Sequence, residues 1–143
     1  MYKIPVSVLV VIHTADLEVL LLERADHPGY WQSVTGSQDP GETLFDTAMR
    51  EIAEETGLNA ADYQLTDWHV ENRYEIYEEW RWRYGPDVRF NTEHVFGLRL
   101  PSAMPVTIST REHLNYIWLP WQQAARKVFS SSNAEAILSL PAR

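Results

Sequence analysis

Cysteine is absent from the 143 residues. That excludes disulfides, thiolate metal sites and thiol nucleophiles. No apolar run reaches the ~20 residues that a membrane-spanning helix needs. Basic residues are scarce: 12 Lys and Arg stand against 20 Asp and Glu, for a net charge of -8. A duplex nucleic-acid binder would need a basic footprint, so that class is excluded. A small anionic substrate is not excluded, because bound cations reverse the local sign. The five histidines, His13, His27, His69, His94 and His113, show no paired ligand spacing, so no zinc site is expected. Neither a Gly-x-Ser-x-Gly word nor a Walker-type loop is present. Repeats, linkers and low-complexity segments are also missing. The start, Met1-Tyr2-Lys3-Ile4-Pro5, leads directly into a strand-like run and does not resemble a signal peptide. A soluble cytoplasmic protein is expected, with one domain spanning residues 1–143. Nothing in the sequence sets an oligomeric state.

What the chain does have is strands, aromatic residues and one acidic helix. Val6 to Ile12 is a continuous apolar run, as in a strand buried on both faces. Val19 to Glu23 reads as a second strand ending at Arg24, and Trp31 to Thr35 as a third, short one. Gln64 to Tyr84 is aromatic and β-branched with partial alternation, which predicts one or two long strands. Gly85-Pro86-Asp87 marks a turn. Val95 to Leu100 and Tyr116 to Leu119 read as further strands, with irregular chain over Ala103 to Arg111. Trp121 to Phe129 has helical spacing, Ser130 to Asn133 breaks it, and Ala134 to Leu140 is a last helical segment. Strands, an inserted helix, more strands and terminal helices make a mixed α/β fold. Six tryptophans and seven tyrosines are many for this length, and a flat ring can stack on some of them.

The stretch from Gly36 to Leu58 is the most informative. Gly36, Pro40 and Gly41 mark a tight loop. Thr43 is a good N-cap, and Asp46 three residues later completes a capping-box pattern. Gly57 is placed to end the helix in the left-handed conformation, with Leu58 as the apolar contact. Phe45, Ala48, Met49 and Ile52 follow the spacing of a buried stripe. Glu51, Glu54 and Glu55 are spaced by three and four, so their carboxylates share the other face. Like charges so placed cost roughly 0.2–0.5 kcal/mol per pair, and acidic groups in a last turn oppose the macrodipole. A divalent cation removes both penalties, and hard oxygen ligands suit magnesium or manganese. The alternative for a bare Glu-x-x-Glu-Glu is a solvated acidic face.

This stretch matches the Nudix box. Its pattern is Gly, five residues, Glu, seven residues, Arg-Glu, an aliphatic residue, any residue, Glu-Glu, any residue, Gly, aliphatic. Every defined position is filled, by Gly36, Glu42, Arg50, Glu51, Ile52, Glu54, Glu55, Gly57 and Leu58. The chain therefore resembles the Nudix hydrolases, which cleave diphosphate bonds in nucleoside-diphosphate-like compounds with divalent metal. The resemblance implies an α/β/α sandwich around a mixed sheet. Words outside the box extend it: Lys3 and Pro5, Arg24, Trp31-Gln32-Ser33-Val34-Thr35, Arg81-Trp82-Arg83-Tyr84, Asn91-Thr92-Glu93, Glu112-His113-Leu114 and Ser132-Asn133. Together they resemble the branch of the family that hydrolyses dihydroneopterin triphosphate in folate synthesis.

That resemblance implies roles for individual residues. Glu51, Glu55 and Glu112 correspond to metal ligands, with Glu54 a further one, for Mg2+ or Mn2+ as its substitute. Arg50 orients a glutamate of its own helix, Glu42 supports it, and Glu112 is a ligand, a general base or both. Lys3, Arg24, Thr35, Tyr74, Glu75, Ile76, Tyr77 and Ser132 correspond to substrate contacts. Bland readings stand beside these: Lys3 and Arg24 as surface cations, the two tyrosines as sheet packing, Ser132 as a helix cap, and Glu93 as a supporting carboxylate or a surface charge. The substrate that the resemblance implies is a pterin triphosphate; the alternatives are a damaged nucleotide, a dinucleoside polyphosphate, or a nucleotide sensed without catalysis.

Overall fold

No alternation of apolar and polar residues marks the first strand, and the fold explains why. A computed structural model describes all residues, 1–143. Strand β1, Val6–Thr14, lies at the centre of the sheet and is covered on both faces. Val8, Val10 and Ile12 point into one core, which includes Ala48 and Ile52 of helix α1, Leu44–Thr56. Leu9 and Val11 point into a second core, built with Ala124 and Ala125 of α2, Trp121–Lys127, and Ala136 and Ile137 of α3, Ser131–Leu138. The expected sandwich of a mixed sheet between helices is therefore the observed one.

Strand β1 pairs antiparallel with β4, Val34–Ser37, and parallel with β6, Phe90–Leu100. Strand β5, Gln64–Glu75, adds antiparallel to β6. Strand β2, Glu18–Arg24, meets β1 at His13 and Val19, then pairs with β7, His113–Pro120, and β3, Trp31–Gln32. No helix is long and apolar enough to cross a membrane.

Several expectations need correction. The Gln64 to Tyr84 segment is one strand followed by a short 3-10 helix, Glu78–Arg83. Strand β6 starts at Phe90, well before Val95, because the buried polar residues Asn91 and Glu93 interrupt its apolar pattern. The break between the two terminal helices lies earlier than Ser130 to Asn133: α2 ends at Lys127 and α3 already begins at Ser131, because the Ser130 hydroxyl accepts the Asn133 N–H at 3.2 Å and caps it. Phe45 is 46% exposed, resting its ring edge on Phe96. Thr47 is buried on α1 in addition to Ala48 and Ile52, since its hydroxyl is bonded to Glu42 and to the Thr43 carbonyl. The irregular chain before β7 completes the packing, where Met104, Val106 and Ile108 cover the α1 core.

Candidate active site

Helix α1 is set rigidly before it presents anything. Thr43 and Asp46 form the reciprocal capping box, and Gly57 closes the other end at φ 74°, donating its N–H to the Ala53 carbonyl at 2.9 Å. Gly41 turns the preceding loop at φ 82°. Gly36 does something else. It lies within β4 with unremarkable φ, and a Cβ there would stand 2.7 Å from Cγ of Glu51 and closer to its carboxyl. Gly36 is the gap through which the Glu51 carboxylate reaches the sheet.

Arg50 clamps loop to helix. Its Nε donates to Glu42 Oε2 at 2.7 Å and its Nη2 to Glu42 Oε1 at 2.9 Å, a bidentate pair. Nη2 also donates to the Ser37 carbonyl at 2.9 Å, and Nη1 donates to Oε1 of Glu51. The arginine holds the Glu42 carboxyl down at about 2, helped by the Asp39 N–H and the Thr47 hydroxyl. Glu54 lies outside, half exposed, with Oε2 3.4 Å from Nη1 of Arg50. The expected shared acidic face is thus divided: Glu51 and Glu55 turn inward at 7% and 2% exposure, and Glu54 faces solvent.

Glu55 carries the strongest chemical signal. Both its carboxyl oxygens are buried without a hydrogen-bond donor of ordinary geometry. His113 Nε2 lies 3.5 Å from Oε1, at the outer limit of contact. Burial raises the Glu55 pKa well above the usual range, and the charges of Glu51 and Glu112 push it the same way. Glu51 is raised too, by burial first. His113 is lowered to about 4, by burial and then the Arg24 charge, so it is neutral near pH 7 and offers no cation. Buried oxygens with no donor, near two further carboxylates, fit a hard divalent cation. Three carboxylates do not converge into a closed cage as they stand. Arg50 holds Glu51 and Glu54 to itself.

Beside these groups opens a cleft of about 550 Å³. Lys3, Arg24, Thr35, Tyr74, Glu75, Ile76, Tyr77, Ser132, Glu55 and Glu112 all line it, so every expected substrate position is brought together. Glu112 sits on the exposed turn that enters β7, where its carbonyl accepts the Ala25 N–H at 2.9 Å. Lys3 is solvent-accessible at the rim, and its pKa is lowered by partial burial and then by Arg83. Arg24 is not a free surface cation. It grips Asp26 through Nε and Nη2 at 2.8 and 2.7 Å, donates to Gln32 at 3.0 Å and lies 4.3 Å over the Trp80 ring. Three of its five N–H donors are spent and two remain. The Thr35 hydroxyl is committed to the Val8 carbonyl at 2.9 Å. Ser132 is not the cap of α3, since Ser130 holds that position.

Sequence reasoning missed part of the wall. Tyr77 stacks on Trp80 at 5.2 Å with planes 3° apart, and Phe129 meets both edge-on at 6.0 Å. Only the general abundance of aromatics pointed that way. Asn133 is buried and bonds Ser33 twice, through Oδ1 and Nδ2 at 2.9 Å each, tying α3 to the β3–β4 junction. His113, which lacks a partner histidine in the sequence, meets Glu55 instead, and no spacing signals that contact.

A NUDIX domain model matches residues 3–140. The chain is 45% identical over 139 residues to the dihydroneopterin triphosphate diphosphatase of Escherichia coli, covering 95% of this chain and 91% of that protein. It is 38% identical over 139 residues to the Haemophilus influenzae protein of the same name, covering 95% and 87%. It is similar to the solved structure of the E. coli dihydroneopterin triphosphate pyrophosphohydrolase, with a TM-score of 0.90 and 44% identity over 96% of this chain and 94% of that one.

Proposed function

The chain belongs to the NUDIX family, and from that premise we propose that it hydrolyses dihydroneopterin triphosphate to dihydroneopterin monophosphate and pyrophosphate. The observation that carries this reading is the extent of the similarity to the dihydroneopterin triphosphate diphosphatases. It runs along nearly the whole chain.

Nudix hydrolases generally need a divalent metal, and magnesium is the ion proposed here, with manganese as substitute. Glu51, Glu54, Glu55 and Glu112 would hold it; when bound, it neutralises charge on the diphosphate and acidifies water. Arg50 orients Glu51 through Nη1, and Glu42 keeps Arg50 in place. Gly36 leaves room for that carboxylate. Lys3 and the two free N–H groups of Arg24 receive phosphate oxygens, while Tyr74, Glu75, Ile76, Tyr77 and Ser132 border the rest of the substrate. Water attacks one phosphorus, Glu112 accepts its proton, and the bridging P–O bond breaks with the electron pair leaving on oxygen.

Phosphorus NMR of the products tests this directly. With magnesium, dihydroneopterin triphosphate should give pyrophosphate and the monophosphate in equal amounts. Orthophosphate with a diphosphate product would contradict the assigned bond. No release at all would favour a chain that senses nucleotides without cleaving them.

A further inference from the structure

One buried carboxylate in the cleft has no part in the hydrolysis itself. Glu93 is 4% exposed on β6 and lines the cleft. No lysine or arginine is paired with it; Asn72 Nδ2 approaches Oε1 at 3.4 Å, and Ser132 is its other polar neighbour. An uncompensated buried carboxylate is costly, so its retention in a ligand cleft asks for donors from a ligand. Beside it, Asn91 is 2% exposed, and its Oδ1 is buried with no partner, while its Nδ2 is spent on Ser7 at 2.7 Å and Tyr74 at 3.1 Å. Glu93 and Asn91 are two residues apart on one strand, so they share a face. A carboxylate without a cation and an amide oxygen without a donor therefore border the same cleft, next to the Asn72 amide.

We propose that Glu93 is the specificity-determining residue for the ring: its carboxylate accepts two parallel N–H groups from a 2-amino-4-oxo heterocycle. This rests on the pterin reading above. The edge of such a ring presents an exocyclic amino group and a ring N–H as neighbouring donors, followed by a carbonyl acceptor. A carboxylate matches the donor pair in the two-pronged geometry that makes carboxylates good partners for guanidinium. The Asn72 amide supplies the complementary donor for the carbonyl. Burial raises the Glu93 pKa, and two N–H donors offset that by favouring the ionised form.

The placement agrees with the shape of the substrate. Ser37 on β4, Ser7 on β1, Glu93 on β6 and Asn72 on β5 are cross-strand partners on one rung of the sheet. Glu93 thus stands two strand spacings from β4, about 10 Å, on the face opposite the one where Glu51 rests against Gly36, and it shares the cleft with Glu55 and Glu112. The amino end of a pterin is the end remote from the side chain that carries the phosphates. Guanine shares the same donor pair, and hypoxanthine lacks the amino group. The site therefore favours GTP over ITP among nucleotides.

Phosphate-free neopterin and inorganic tripolyphosphate, each used as a competitive inhibitor of the wild-type enzyme and of Glu93→Gln, separate ring binding from phosphate binding. The substitution conserves volume and removes a buried charge, so the variant stays folded. Neopterin Ki should rise by about 10- to 100-fold and tripolyphosphate Ki should stay the same. The wild-type GTP to ITP ratio of kcat/KM should exceed one and collapse toward one in the variant. Glu93→Asp, which withdraws the carboxylate by one methylene, should lose neopterin affinity while keeping charge. An unchanged neopterin Ki in Glu93→Gln overturns the assignment even where dihydroneopterin triphosphate remains the preferred substrate. A raised magnesium requirement with unchanged neopterin Ki overturns it in favour of metal binding. Wild-type indifference to the amino group overturns this assignment, whereas the pterin reading falls only if dihydroneopterin triphosphate is not the preferred substrate.

Discussion

Replacing Gly36 by alanine should separate activity from stability. The backbone at Gly36 has no positive φ, so the added methyl strains nothing locally. Its Cβ would lie 2.7 Å from Cγ of Glu51 and closer to Cδ and Oε2, where ordinary contact begins near 3.4 Å. The carboxyl must retreat by about 1 Å or more, and a misplacement of that size costs on the order of 100-fold in rate. The groups displaced are the far end of a flexible side chain, so the fold should lose only ~1 kcal/mol, a few degrees in Tm. The assay is pyrophosphate release at saturating substrate and magnesium, with thermal melting alongside. Wild-type kcat in a folded Gly36→Ala protein would refute the claim that Glu51 acts through the gap at Gly36. A Tm loss much beyond ten degrees would refute the steric argument itself.

Three further outcomes follow from the same geometry. Glu112→Gln should lower kcat by roughly 10²–10⁴ with unchanged melting and little change in KM; near-normal kcat would remove Glu112 from the proton transfer. Glu55→Gln relieves a buried carboxylate with no donors, so the metal-free variant should melt no lower than the parent, yet lose the upward Tm shift that magnesium gives the parent; a retained shift would show that Glu55 holds no ion. Arg50 keeps the Glu42 carboxyl at about 2 in the folded chain, below its value unfolded, so its stabilisation is full above the usual carboxylate range and fades as pH falls toward 2. Glu42→Gln should therefore be less stable than the parent near pH 7 by about 1–3 kcal/mol, with the gap narrowing in acid; a gap that widens in acid would have the wrong sign.

The helix of the box was legible almost to the residue because its signals are local. Capping box, apolar spacing and closing glycine all act within a few residues, and each is found. Strand β1 was legible because burial on both faces leaves an unbroken apolar run. The start of β6 was hidden for the opposite reason. Asn91 and Glu93 are polar in a buried strand because they border the cleft, and polar residues read as loop. The box pattern revealed which carboxylates matter but not how they divide. That division depends on Arg50 reaching from helix to loop and on the gap at Gly36. The contact of His113 with Glu55, and that of Arg83 with Asp26, join segments distant in the chain and have no periodicity to read.

The most direct measurement of the central claim is a ranking by kcat/KM, with magnesium, of dihydroneopterin triphosphate, the common nucleoside triphosphates, an oxidised purine nucleoside triphosphate and a dinucleoside tetraphosphate. Dihydroneopterin triphosphate should lead every other compound, with pyrophosphate as its released product. A damaged nucleotide or a dinucleoside polyphosphate at the top of the ranking would contradict the pterin reading while leaving the family and its diphosphate chemistry in place.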